Sequence, residues 1–127
     1  MNTTWWIAQG LLAVVFLFSG IFKGTQSKER LLQAGQTGVA RYRLPVIRFI
    51  AACEILGALG VTLPWLTGFA PVLTPVAAAG LGIIMMLAAR VHAQQREPQN
   101  VATNLVLLAV CGLVAVARFA EWAHAAA

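Results

Sequence analysis

Apolar residues fall into four long blocks, over residues 4–22, 45–65, 71–91 and 101–119. Within each block Leu, Ile, Val and Ala occupy all sides of a helical wheel. An amphipathic helix in water keeps a polar stripe opposite its apolar one, and these blocks have none. Nor do they alternate with the period of two that a transmembrane strand requires. Each is close to the roughly 20 residues that carry an α-helix across a hydrocarbon core. The pattern predicts helices over about 4–23, 45–65, 71–92 and 101–120, forming one all-α domain over 1–127, a four-helix transmembrane bundle.

The polar intervals add detail. Between the first two blocks, Ser27 can cap a short amphipathic helix through Lys28-Glu29-Arg30-Leu31-Leu32-Gln33-Ala34, with Gly35 as its stop. This helix is expected on the cytoplasmic side, lying on the lipid surface or folded over the bundle mouth. Pro45 and Pro71 are placed to open the second and third helices, and Pro98 precedes the fourth. The short uncharged connection 64–71 implies a tight antiparallel hairpin.

Composition agrees with the pattern. Of 127 residues, 60% are hydrophobic and only 10% charged, against roughly a quarter charged in soluble domains. The charges that remain are unevenly placed. Lys23, Lys28, Arg30, Arg41, Arg43 and Arg48 surround the first connection, and Arg90 and Arg96 the third, whereas the N-terminal end and the second connection have no Lys or Arg and only Arg118 borders the C-terminal end. By the positive-inside rule, connections one and three face the cytoplasm and both termini lie outside, in a bacterial-type inner membrane. Trp5, Trp6, Trp65 and Trp122 all fall on the outer side as an aromatic belt. The net charge of +5 thus reflects topology and anionic lipid head groups. Nucleic acid is not an expected partner, since no soluble segment interleaves basic and aromatic residues. The first block lacks a basic leader and a cleavage site, so it reads as a retained helix with the mature chain beginning at Met1.

Candidate chemistry centres on Glu54, a carboxylate inside the second apolar block. A charge near the middle of a membrane helix costs about 2.5–3.5 kcal/mol on insertion scales, so it needs a partner. At 1.5 Å per residue it lies about 13 Å inside the cytoplasmic end. Lys23 ends the first helix at that level with Ser19 one turn above it, His92 closes the third helix, and Asn104 lies in the first turns of the fourth. The expected arrangement is a polar pocket, open toward the cytoplasm, in which Glu54 pairs with Lys23 or His92 and Asn104 supplies a hydrogen bond. The competing reading is a structural tie between helices. Arg48, six residues before Glu54 and rotated by about 240° from it, is expected among lipid head groups.

Other chemistries find little support. Cys53 and Cys111 fall at similar depths, so a disulfide is conceivable, but cysteines in apolar runs usually act as inert small hydrophobes. There is no Cys-x-x-Cys pair, no nucleotide-binding glycine loop and no metal-spaced cluster. His92 and His124 are expected on opposite sides of the membrane, which argues against haem ligation.

Three sets of residues carry a family resemblance. Ser19-Gly20-Ile21-Phe22-Lys23, the segment from Pro45 through Arg48-Phe49, Glu54 and Gly57-Ala58 to Gly60 and Leu63-Pro64, and Asn104-Leu105-Val106-Leu107 together resemble the DoxX-like membrane proteins. The resemblance spans nearly the whole chain and implies a four-helix bundle in which Lys23 and Glu54 are matching positions. It implies association with membrane redox processes, which makes a quinone the candidate cofactor and a redox enzyme subunit or a second copy the candidate protein partner. Two alternatives accompany the accessory or quinone-binding role: a non-enzymatic scaffold or assembly subunit, and a small enzyme using buried Glu54 as acid or base.

Overall fold

The computed structural model describes residues 2–126; Met1, where the mature chain was expected to begin, lies outside them. The elements are helices α1 (Asn2–Thr25), α2 (Lys28–Gln33), α3 (Leu44–Gly60), α4 (Leu63–Thr67), α5 (Leu73–Gln94) and α6 (Pro98–Ala126), with a 3-10 turn at Thr37–Val39 between α2 and α3. No strand occurs among the described residues. Among the same residues, four spans are long and apolar enough to cross a membrane: α1, α3 continued by α4, α5, and α6.

The bundle consists of two antiparallel hairpins, α1 against α3 and α5 against α6. Leu12, Phe16, Ala58, Leu81, Cys111 and Val114 form the core where the hairpins meet. Large side chains such as Phe18, Leu56, Ile83 and Val116 point outward. In a bilayer these outward faces meet lipid, so burial inside the bundle reflects helix packing rather than escape from water. One end of the bundle carries α2, the 3-10 turn and most of the basic residues; the other carries α4 and the tryptophans.

The second span is not one continuous helix as expected. It breaks at Val61 and Thr62, and Pro64 is the cause: proline has no N–H for the Gly60 carbonyl, and its ring clashes with that carbonyl. The backbone groups released by the break are bonded by side chains. Thr74 Oγ1 donates to Gly60 O at 3.0 Å and accepts from Trp65 N at 3.1 Å. Gln9 Nε2 donates to Val61 O at 2.8 Å. Thr74 and Gln9 are both fully buried, and each is polar for this reason.

At the basic end, Ser27 Oγ accepts from Arg30 N at 3.2 Å and caps α2. Gly35, at φ +92°, lets the chain turn out of that helix. Leu31, Val39 and Ile47, with Phe22 and Tyr42 packed against them, form a second small core beneath the bundle. The segment after α2 is thereby drawn across the base of the hairpins.

Candidate functional site

Glu54 lies in the middle of α3, 1% exposed, and both its oxygens are engaged from α1. Lys23 Nζ donates to Oε2 at 2.9 Å, and Ser19 Oγ donates to Oε1 at 2.9 Å. Ser19 and Lys23 are one turn apart and share a face. Gly20, between them, sets the distance to α3: a Cβ there would stand 2.7 Å from Ile55 Cγ1 and 3.0 Å from Ala51 O. Only a glycine lets the two backbones come this close, and that closeness brings the short Ser19 side chain within reach of the carboxylate.

Arg48, expected to face lipid head groups, is bonded to the end of α1. Its Nη1 donates to the carbonyls of Lys23 at 2.6 Å and Gln26 at 2.8 Å, closing the C-terminal end of α1. The last carbonyls of any helix lack intrahelical donors, and a cation there also meets the negative end of the helix dipole. That demand at the end of α1 was the signal available for Arg48.

Beside the Lys23–Glu54 pair, a cavity of about 320 Å³ opens between the two hairpins. It has a physical origin in α3. Near the tryptophan end α3 touches α5 directly, because a Cβ on Gly57 would meet Leu81 Cγ at 2.7 Å. Toward the basic end larger side chains stand between these helices, and Phe49, Ile50 and Cys53 of α3 face Ile84, Leu87 and Ala88 of α5 around the space. Phe49 and Leu87 line the cavity yet are 69% and 58% exposed, so its mouth lies between α3 and α5 on the lipid-facing side. Gln36, Gly38, Val39 and Tyr42 line it at the basic end, so the segment after α2 covers the side on which the pocket was expected to open.

The five candidate residues, Ser19, Lys23, Glu54, His92 and Asn104, all line this cavity. They do not all join one network. Lys23 is the ion-pair partner of Glu54, and His92 is not. His92 Nδ1 lies 2.6 Å from Glu97 Oε1, and the Nε2 edge of its ring packs on Gly38. Asn104 makes no hydrogen bond to Glu54, and its Nδ2 has no partner among the described residues.

Glu97 was not singled out in the sequence, being a lone carboxylate in a connection. It joins the 3-10 turn to the α5–α6 hairpin. Its Oε1 accepts from Thr37 Oγ1 at 2.9 Å, from Gln95 Nε2 at 3.2 Å and from Asn100 Nδ2 at 3.4 Å, besides its bond with His92. Gln95 Nε2 also donates to Thr37 O at 3.1 Å. The hydrogen bond with His92, then that from Thr37, holds the Glu97 carboxyl below the usual carboxylate range.

A second polar centre at the tryptophan end was also missed. Arg118, expected at the border of the fourth helix, is fully buried. Its Nε donates to Gln9 Oε1 at 2.7 Å and its Nη1 to Glu121 Oε2 at 2.9 Å. Its guanidinium carbon stands 4.7 Å from the Trp65 ring centre and 5.6 Å from that of Trp6. The chain of bonds from Arg118 through Gln9 to Val61 O ends at the break in the second span. A polar residue in each of two apolar blocks, Gln9 and Arg118, was the available signal.

Cys53 and Cys111 are both free thiols, Cys53 on the cavity wall and Cys111 in the core. The model of the DoxX-like family matches residues 7–123. The chain belongs to the DoxX-like family. The match runs from α1 into α6 and so includes every element of the DoxX-like cavity wall. No curated protein and no solved structure matches the chain.

Proposed function

We propose that this DoxX-like protein binds an amphiphilic membrane solute, with a quinone as the leading candidate, in the cavity beside Lys23 and Glu54, and so serves a membrane redox process as an accessory component. The observation that carries this reading is the position of the buried ion pair. It sits on the wall of a mostly apolar space of about 320 Å³, at the lower end of the range for small-molecule sites. Such a volume suits a head group whose tail passes out between Phe49 and Leu87. Lys23 Nζ offers donors beyond the one used on Glu54. With the basic end in the cytoplasm, as the charge asymmetry indicates, the head group resides in the inner leaflet of a bacterial-type inner membrane, and both termini lie outside.

A tie between helices explains less. Lys23 and Glu54 join α1 to α3, which already form one hairpin, and a tie needs no cavity beside it. An acid or base role fits less well too, since both carboxylate oxygens already accept hydrogen bonds.

The test is binding of 2-decyl-1,4-benzoquinone to the purified chain in nanodiscs of fixed lipid composition, with lipid extraction of the protein isolated from its native membrane. Saturable binding that weakens in Lys23→Met and Glu54→Gln variants of normal yield supports the reading. No co-purifying amphiphile, together with no saturable binding, defeats it.

A further inference from the structure

Asn104 is 8% exposed, lines the cavity, and carries an amide nitrogen with no hydrogen-bond partner among the described residues. Every other polar candidate there is engaged within the protein: Ser19 and Lys23 on Glu54, His92 on Glu97. Packing does not call for an amide at this position. Leu107 and Cys111, one and two turns further along the same face of α6, are apolar and fill equivalent places. Leucine has the same number of side-chain heavy atoms, branched at the same carbon, its bulkier methyls have the adjoining cavity to enter, and it would leave no polar atom unsatisfied. In a bilayer an unbonded amide is a penalty to the fold, because water is not at hand to relieve it. A residue that weakens the fold by its polarity and faces a cavity is explained by what the cavity holds.

We propose that Asn104 is the specificity-determining residue of the cavity, where its amide donates to a carbonyl on the head group of the ligand. The preferred ligand class is therefore an amphiphile with a carbonyl-bearing head, chosen over a hydrocarbon of the same shape. This rests on the reading that the cavity holds a membrane solute. Rotation about the Cβ–Cγ bond exchanges the amide's oxygen and nitrogen, so the N–H₂ can be turned to the ligand without moving α6. Lys23, bonded to Glu54, keeps its remaining donors on the wall, and Asn104 adds the contact that a carbonyl head gains.

The proposal predicts opposite effects on fold and ligand. Replacing Asn104 by Leu removes an unsatisfied buried donor, so the ligand-free protein should melt at the same or a higher temperature. The same change should cost about tenfold in affinity for a carbonyl ligand, the usual size for one neutral hydrogen bond, and nothing for a hydrocarbon. The experiment titrates the full chain in nanodiscs with 2-decyl-1,4-benzoquinone and with decylbenzene, which share ring and tail. Wild type should prefer the quinone, and Asn104→Leu should lower that preference about tenfold without lowering the melting temperature. Asn104→Ala repeats the measurement should the leucine variant fold poorly. Equal wild-type affinity for the two compounds, or an undiminished quinone preference in the variants, overturns the role of Asn104 and leaves the cavity reading standing. Binding of neither compound by wild type overturns both.

Discussion

Gly20 of α1 lies so close to Ile55 of α3 that a Cβ on the glycine would stand 2.7 Å from Ile55 Cγ1. The Ile55 side chain could turn aside, but the same Cβ would be 3.0 Å from the Ala51 carbonyl oxygen, which cannot. Gly20→Ala therefore has to push the hairpin apart and should cost about 1–3 kcal/mol, the usual price of overpacking. Gly24, one turn further on, is the control. A Cβ there would meet Ala51 Cβ at an ordinary 3.6 Å, so Gly24→Ala should be neutral, or stabilising by up to about 1 kcal/mol from helix propensity. Equilibrium unfolding in mixed micelles compares the two. Equal losses would show that the close approach at Gly20 is not needed.

The ion pair makes a second prediction. Lys23→Met leaves Glu54 inside the bundle with only Ser19 for company, and removing one member of a buried pair costs about 3–5 kcal/mol. Lys23→Met combined with Glu54→Leu removes the stranded charge as well. The double variant should be more stable than Lys23→Met alone by at least about 1 kcal/mol. A double-mutant cycle on unfolding free energies measures this. Strict additivity would mean that the two side chains do not depend on one another.

At the tryptophan end, Arg118→Met takes the donor from Gln9 Oε1 and the cation from between Trp6 and Trp65. The expected loss is about 1–3 kcal/mol for the stranded buried acceptor, with up to about 2 kcal/mol more from the desolvated cation–π contacts. Arg118→Lys should rescue little, because an ammonium cannot reproduce a planar guanidinium that bonds Gln9 through Nε while standing over the Trp65 ring. Tryptophan emission reports the change independently of melting, since two of the four tryptophans lie against this group. Unchanged emission in Arg118→Met would contradict the geometry.

These relationships differ in how far the residues alone disclose them. Four helices follow from apolar length, which a bilayer demands of any spanning helix. Ser19, Lys23 and Glu54 could be brought to one level by counting turns from the helix ends. Counting turns could not separate Lys23 from His92 as the partner, because that depends on Gly20 drawing α1 against α3 and on Glu97 holding His92 elsewhere. The break at Val61 and Thr62 was implicit in Pro64, yet the side chains that relieve it, Gln9 and Thr74, come from other helices. Arg118 looked like an end residue because its distance from the helix terminus gives no hint that two tryptophans shield it. Local pattern sets the elements; the polar partners belong to the packing.

Hydrogen bonds with His92 and Thr37 hold the Glu97 carboxyl below its ordinary range, so the ionised form is favoured in the folded protein. A carboxylate depressed in this way contributes fully at pH values above the unfolded-state range. Its contribution is lost as pH falls through the lower folded-state value. Thr37, which heads the 3-10 turn on the cavity wall, should thus stay fastened at neutral pH and come loose as acid protonates Glu97, at a lower pH than an ordinary glutamate requires. Glu97→Gln removes the charge at every pH. In that variant the amides of Val39, Ala40 and Tyr42, which bond to Gln36 O, Thr37 O and Val39 O, should exchange hydrogen faster than wild type at pH 7. Wild type should approach the variant as pH falls below the ordinary glutamate value. Matching exchange rates at neutral pH would mean that the second small core of Leu31, Val39 and Ile47 holds the turn without Glu97.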